Sequence, residues 1–348
     1  LGRAPLEYHQ QAQATNLEFN LITGSRGSRN NHVTNLICKL TGAEAALIVN
    51  NCSAAVTLVL AALARDRAVA VSRGELVEIG GGFRVPDVMS ESGAHLVEVG
   101  TTNRTRVADY KAACRLHDTA LLLKVHPSNY KISGFTEEVS VSALSDLEVP
   151  VVADLGSGFI DEGCHWLRDG KPSWLRDEPA VKQTLEAGAA LVTFSGDKLF
   201  GGPQAGIIAG RADLIEACAQ HPLMRAFRPG ALVLGALQQT ALAYLRRDGD
   251  SIPFWRMAQT PVTQLLARAD AISAGRSVTT SAMTGGGSLP GEEIPSAGIQ
   301  LDGDVSTGLR EAPIPVIARV RDQATFVDLR TVHPDDDTLV ANAIASVI

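Results

Sequence analysis

Thr193-Phe-Ser-Gly-Asp-Lys-Leu-Phe-Gly-Gly-Pro-Gln-Ala-Gly206 sets an apolar run, one lysine and a glycine-rich turn in direct succession. The run reads as a buried strand ending at Ser195. Gly201, Gly202 and Pro203 then force a turn that brings backbone close to a ligand, before a second apolar strand starts at Ala205. A lysine amine becomes a useful nucleophile toward a carbonyl only when its pKa is lowered or its partner is held beside it. A strand end facing a cleft provides that setting for Lys198. On residue type alone a surface lysine at a strand end is the commoner occurrence, so the rest of the chain has to decide.

Short β-rich runs recur at 46–50, 69–72, 96–100, 120–126, 150–155, 191–195 and 206–210, with helical segments between them. That alternation predicts an α/β fold: a buried, mostly parallel seven-stranded sheet with helices on both faces. In open sheets of this kind ligands sit beyond the carboxyl ends of the strands. Polar residues collect there: Asn50 and Asn51, Ser72 and Arg73, His126, Asp154, and Ser195 to Lys198. After Arg228-Pro-Gly230 the texture changes to a helical stretch at 231–247 and then to a second α/β region ending in 315–320 and 325–329. The expected division is an N-terminal arm at 1–29, a large domain at 30–230 and a smaller C-terminal α/β domain at 231–348. The loop Gly285-Gly-Gly-Ser-Leu-Pro-Gly291 is expected to join parts of the smaller domain, and it lacks the Gly-Lys-Ser/Thr ending of a nucleotide P-loop.

Asp154 closes the run Val149-Pro-Val-Val-Ala-Asp154 and is followed by Leu-Gly-Ser-Gly158. An Asp before Gly and Ser often does no more than start a turn. With a strand-end lysine downstream, the pair reads as pyridoxal 5'-phosphate chemistry, in which a carboxylate pairs with the protonated pyridine nitrogen and Lys198 carries the cofactor. Val49-Asn-Asn-Cys-Ser-Ala-Ala55 ends one strand and opens an Ala/Val/Leu-rich helix. Backbone N–H groups near Cys52 and the Ser53 hydroxyl make a phosphate seat there, with a plain helix cap as the alternative. Ser195 is near enough to Lys198 to serve the same phosphate. His126, in Lys124-Val-His-Pro-Ser-Asn-Tyr130, is expected to stack on the cofactor ring or relay protons, against the alternative of a hydrogen-bonded core histidine.

Arginines form a second constellation. Gly24-Ser-Arg-Gly-Ser-Arg-Asn30 places Arg26 and Arg29 in a glycine-serine turn before a helix, and Arg225 and Arg228 flank Ala226-Phe227. Guanidinium forks suit phosphate-like anions, beyond what one cofactor phosphate needs, so an anionic substrate is expected. Arg73, in Ser72-Arg-Gly-Glu75, is a weaker candidate that Glu75 and Glu78 are placed to neutralise.

Composition excludes several classes. The 348 residues are 45% hydrophobic, enough to fill a large core. A net charge of −7 gives no overall basic field for non-specific nucleic-acid binding, so any such contact is local. Cys38, Cys52, Cys114, Cys164 and Cys218 are scattered and never in a Cys-x-x-Cys pair, which argues against a disulfide framework or a metal site and fits a reducing cytoplasm. Apolar runs are short and broken, so no membrane span and no signal peptide are expected. The sequence opens without Met at Leu1-Gly-Arg-Ala-Pro5, inside what reads as a motif, and is read as a fragment.

With these residues in hand, the chain resembles the bacterial selenocysteine synthases, the L-seryl-tRNA(Sec) selenium transferases, over nearly its whole length. The resemblance rests on Gly24-Ser-Arg-Gly-Ser-Arg29, Leu40-Thr-Gly-Ala-Glu-Ala45, Val71-Ser-Arg-Gly-Glu-Leu-Val-Glu-Ile79, Phe83-Arg-Val-Pro-Asp-Val-Met89 and Val97-Glu-Val-Gly-Thr-Thr-Asn-Arg104. It continues through 129–139, Asp154-Leu-Gly-Ser-Gly158, the opening stretch, 285–293 and Asp328-Leu-Arg-Thr331. It implies the fold type I pyridoxal-phosphate architecture, homo-oligomers built of dimers with shared sites, and a ring of five dimers. It further implies Lys198 as the cofactor lysine, Asp197 beside it near the reacting group, and Arg225, Arg228 and the N-terminal Arg3 as holders of the selenium donor, selenophosphate. The substrate implied is seryl-tRNA(Sec). Family members carry an additional N-terminal domain that grips the tRNA, and this sequence begins after it; the segments at 140–150 and 270–285 look shortened, and Cys52-Ser53 replaces a more Asn/Ala-rich turn. Two other readings stay open at this point: a related lyase acting on a small phosphorylated amino acid or amino sugar, and an inactive homologue that only assembles with an active one.

Overall fold

The computed structural model describes residues 18–20, 23–79 and 82–348. Arg3 lies outside the described residues. The chain divides into a larger unit, which runs through Pro253 and takes in Gly285–Gly291, and a smaller one made of Phe254–Thr284 and Glu292–Ile348. The helix Ala231–Leu245, read from sequence at the head of the smaller domain, belongs to the larger unit, and so does the loop Gly285–Gly291. That loop connects Thr284 to Glu292, the two segments of the smaller unit, while itself belonging to the larger one.

The larger unit is built on seven strands: β1 Ala45–Val49, β2 Ala68–Ser72, β3 His95–Val99, β4 Thr119–Val125, β5 Val151–Gly156, β6 Leu191–Ser195 and β7 Gly206–Gly210. Their order across the sheet is β1-β7-β6-β5-β4-β2-β3. All neighbours are parallel except β7, which runs antiparallel to both β6 and β1. Each of the seven apolar runs read from the sequence forms one of these strands. Four of them, β2, β5, β6 and β7, are buried along their whole length, the pattern of a sheet covered on both faces.

One face carries the helix Cys52–Leu63, whose Ala54 to Ala61 segment is nearly all core and packs with Leu121, Leu123, Val152 and Ile208 from the strands. The opposite face is filled by Tyr110, Leu122, Val139 and Leu144. Helix Asn31–Thr41 buries Val33, Ile37 and Thr41, one residue every four, and stops at Gly42 in the left-handed conformation. The covering layers put every loop that follows a parallel strand at one sheet edge, where the polar strand ends meet.

The smaller unit holds an antiparallel sheet of β8 Arg276–Ala282, β9 Ile294–Asp302, β10 Arg319–Arg321 and β11 Ala324–Asp328, ordered β8-β9-β11-β10. Helices Val262–Ile272 and Asp337–Ala345 cover one face through Leu265, Ala269, Val340 and Ile344. Arg330, buried, ties this unit together by donating to the carbonyls of Met257, Ala258, Thr260 and Pro295.

No helix among the described residues is long and apolar enough to cross a membrane. All five cysteines are free.

Candidate active site

The turn after β6 is held from several directions. Gly201 N–H donates to the Lys198 carbonyl (2.9 Å), Gly196 N–H to Ala205 (2.8 Å) and Leu199 N–H to Ser157 (2.8 Å). From below, Tyr244 of the Ala231–Leu245 helix donates its hydroxyl toward the carbonyls of Phe200 (3.0 Å) and Leu199 (3.3 Å) while its ring stacks on Phe200. Gly158 approaches the same turn so closely that a Cβ there would lie 2.5 Å from the Ser195 carbonyl oxygen, at a φ of +73°. The glycine at 158 is thus required by the packing of one strand end on the next.

Lys198 emerges half-buried from this turn and donates its Nζ to the carbonyl of Gly287 at 2.8 Å. Gly287 adopts φ +85°, and a Cβ on it would stand 2.9 Å from Lys198 Nζ. The glycine-rich loop therefore serves the lysine.

Asp154, at the neighbouring strand end, is buried, and its Oδ1 accepts from Thr193 Oγ1 (2.8 Å) and from the Cys52 thiol (3.5 Å). Burial pushes its carboxyl above the usual range, against those two hydrogen bonds and the nearby Lys198 charge. Burial first, and then Asp154, push the Cys52 thiol well up, so it is a protonated donor rather than a thiolate. At the head of the Cys52–Leu63 helix, Asn51 Oδ1 accepts the Ala54 N–H (2.8 Å) and the Asn51 carbonyl that of Ala55 (3.1 Å). The N–H groups of Cys52 and Ser53 are left without an acceptor in the helix, beside an exposed Ser53. Ser195 Oγ is hydrogen-bonded to Asp197 Oδ1 at 2.6 Å, and Asp197 itself is exposed.

His126 follows β4, with its N–H bonded to the Asp154 carbonyl at 2.9 Å. Its Nε2 lies 3.4 Å from Oε2 of Glu178, whose side chain is 2% exposed. Two further hydroxyls, Ser128 Oγ and Ser157 Oγ, are buried without a hydrogen-bond partner. A Cβ on Gly156 would be 3.4 Å from Ser128 Oγ and 3.7 Å from Lys198 Nζ, so both side chains converge on that glycine.

The arginines form a separate group. Arg26, Arg29 and Arg228 all pair with Glu18, the last at 3.5 Å. They line a cavity of about 450 Å³ together with Arg225 and Asn30. Partial desolvation, reinforced by Arg29 and Arg225, lowers the Arg228 pKa, and the hydrogen bonds from Arg29 and Arg26 lower that of Glu18. The Phe227 carbonyl accepts from Asn50 N–H (2.9 Å), which anchors this group beside the end of β1. Among the described residues no hydrogen bond or ion pair joins the arginines to Lys198, Asp154 or His126. Arg73 pairs with Glu98 on the adjacent strand (2.7 Å), not with Glu75 or Glu78. Glu75 instead turns inward to Lys124, and Glu78 pairs with Arg84.

Thr193, Glu178, Gly287, Ser128 and Glu18 escaped the sequence reading. Two left a signal: Thr193 lies two residues before Ser195 on one strand and hence on the same face, and Gly287 lies in the glycine-rich loop read at 285–291.

Residues 3–333 match the family model described as L-seryl-tRNA selenium transferase. The chain belongs to the L-seryl-tRNA selenium transferase family. Its relatives by that name include a protein from Moorella thermoacetica, 45% identical over all of this chain and 79% of the relative, and one from Geobacter metallireducens, 44% identical over 99% of this chain and 80% of the relative. The alignment to the first spans 379 positions, more than this family member has residues, so the relative carries segments that this chain lacks. Among solved structures, D-glucosaminate-6-phosphate ammonia-lyase superposes with a TM-score of 0.68 at 21% identity, covering 99% of this chain and 90% of that one. A serine palmitoyltransferase from S. paucimobilis, solved with bound PLP, superposes with a TM-score of 0.53 at 13% identity, covering 99% and 83%. These two likenesses establish the fold, a type I pyridoxal-phosphate-enzyme architecture.

Proposed function

We propose that this chain converts seryl-tRNA(Sec) to selenocysteinyl-tRNA(Sec) with selenophosphate as selenium donor and pyridoxal 5'-phosphate as cofactor. The observation that carries this reading is the convergence of Lys198, the buried Asp154 and the unpartnered Ser128 and Ser157 hydroxyls on one end of the sheet, in a chain 45% identical to L-seryl-tRNA(Sec) selenium transferases. These residues fit the cofactor. Asp154 Oδ1 is occupied by Thr193 and Cys52, which leaves Oδ2 for the ring nitrogen. The Cys52 and Ser53 N–H groups, with the Ser53 and Ser195 hydroxyls, suit its phosphate.

Bound there, pyridoxal phosphate supplies a sink for the charge that develops at the serine Cα. Lys198, once its amine is free, takes the Cα proton, and the serine hydroxyl then leaves with a proton as water. His126 orients the ring or relays that proton, with Asp197 beside the reacting group. Arg225, Arg228, Arg26, Arg29 and the N-terminal Arg3 hold selenophosphate, whose selenium adds to Cβ while water cleaves the P–Se bond to release phosphate, and Lys198 returns the proton to Cα. In this reading the N-terminal arm at 1–29 completes the anion site, the large domain binds the cofactor, and the protein works in the cytoplasm as a homo-oligomer of dimers, a decamer by family resemblance.

Incubation of the full-length, cofactor-loaded protein with seryl-tRNA(Sec) and selenophosphate tests the reading. Selenocysteinyl-tRNA is the expected product, absent with Lys198→Ala, which also loses the visible absorbance of the bound cofactor. Failure to form product while the loaded protein binds seryl-tRNA would overturn it.

A further inference from the structure

Glu178 is the least explained charge in the larger unit. It sits in the loop before helix Val181–Glu186, 3% exposed as a residue, and its Oε1 has no hydrogen-bond partner. Taking a carboxylate out of water is costly unless another group compensates it. The only ion pair found for it among the described residues is His126 Nε2 at 3.4 Å, and that nitrogen in turn has no hydrogen-bonded partner.

We infer that Glu178 is the positioning residue for His126, keeping a proton on Nε2 and fixing the plane of the imidazole beside Asp154. An imidazole with a bare Nε2 lone pair would face a buried carboxylate oxygen, two acceptors against each other in a medium of low dielectric. A proton on Nε2 converts this repulsion into a charge-assisted contact, whether the ring is neutral or an imidazolium. The backbone adds the second constraint, since His126 N–H is bonded to the Asp154 carbonyl and the His126 carbonyl accepts from Ser128 N–H at 2.8 Å. With Cα fixed by the strand end and Nε2 fixed by Glu178, the ring has one orientation, and Nδ1 is the nitrogen left to accept a hydrogen bond. This deepens the proposed function and rests on it only where it passes from His126 to the cofactor.

The test uses the full protein with 15N-labelled histidine, the His126 resonances being assigned by their loss in His126→Gln. In cofactor-free protein, the His126 proton is expected on Nε2. Glu178→Gln, which keeps an acceptor oxygen, retains it there; Glu178→Met, which offers none, releases His126 to the tautomer mixture of an exposed histidine. A proton on Nδ1 in the unsubstituted protein, or an unchanged Nε2 signal in Glu178→Met, overturns the pairing, and the first of these needs no variant to fold. These measurements require neither cofactor nor substrate, so they stand apart from the selenium-transfer reading. With pyridoxal phosphate bound, Glu178→Met is expected to shift the visible absorption and to lower kcat by about tenfold or more, with little change in KM. A changed tautomer with unchanged absorption would overturn the step from His126 to the cofactor while leaving the pair intact.

Discussion

The Lys198 amine and the Gly287 carbonyl, 89 residues apart in sequence, are joined by a 2.8 Å hydrogen bond. The position can hold only a glycine without disturbance, because φ is +85° and a Cβ would lie 2.9 Å from the lysine nitrogen. Gly287→Ala is therefore expected to cost about 1–2 kcal/mol in backbone strain. It should also push the amine aside, and displacement of a reacting group by about 1 Å lowers kcat by roughly 10²-fold. Denaturant unfolding and single-turnover kinetics separate the two effects. A variant with normal kcat would show that the amine does not depend on this loop.

Asp154 makes a prediction about pH whose sign is unusual for a carboxylate. Burial raises its pKa above the ordinary 3.8, so between that value and the folded one the native state binds more protons than the unfolded chain. Stability of the cofactor-free protein consequently falls as pH rises through this window and stays lower above it. Asp154→Asn removes the buried charge and should leave the cofactor-free protein more stable than the unsubstituted one at pH 7, with the difference vanishing toward pH 3. The same variant should bind pyridoxal phosphate at least tenfold more weakly, as read by titration of its visible absorbance. If urea unfolding shows Asp154→Asn to be less stable at neutral pH, the carboxylate is compensated more fully than its surroundings indicate.

The strand ends were legible because hydrophobic periodicity delimits strands and because a polar residue just after a buried run has few structural uses. Lys198, Asp154 and His126 could be picked out on that ground, and the seven apolar runs sufficed for the sheet. What pairs with them could not. Glu178 is 52 residues from His126 and Glu18 is 210 residues from Arg228, and no local pattern encodes such contacts. Arg73 shows the same limit at short range. Glu75, its neighbour in sequence, points into the sheet, while Glu98 comes alongside through the parallel pairing of Ser72 with Val99.

Glu75 and Lys124 form a buried ion pair at 2.7 Å, and the second Glu75 oxygen accepts the Val125 N–H at 2.9 Å. Burial raises the Glu75 pKa against the pull of Lys124; for Lys124 burial works the other way, and the charges and hydrogen bonds of Glu75 and Glu138 together outweigh it, leaving the amine above its ordinary value. Lys124→Met strands the carboxylate and is expected to destabilise by about 3–5 kcal/mol, whereas Lys124→Met combined with Glu75→Gln should recover much of that loss. Thermal unfolding of the two single variants and the double variant measures the coupling; additive losses would mean the two charges do not stabilise each other.

Glu18 occupies the middle of the arginine group, and its carboxyl is held below the usual range by Arg29 and Arg26. A group with a depressed folded pKa contributes fully above its ordinary value of 4.5 and loses that contribution as pH falls through the lowered one, so at neutral pH the carboxylate is a resident anion. Any phosphate-like ligand of Arg26, Arg29 and Arg228 must displace it. Glu18→Gln is expected to tighten binding of inorganic phosphate severalfold and to steepen its dependence on salt, because more positive charge is left to be screened. Arg228→Ala should weaken the same binding. Calorimetric titration with phosphate at two ionic strengths distinguishes the cases. Equal affinity in Glu18→Gln and the unsubstituted protein would place the anion elsewhere, since a ligand that shares the three arginines with Glu18 cannot be indifferent to its charge.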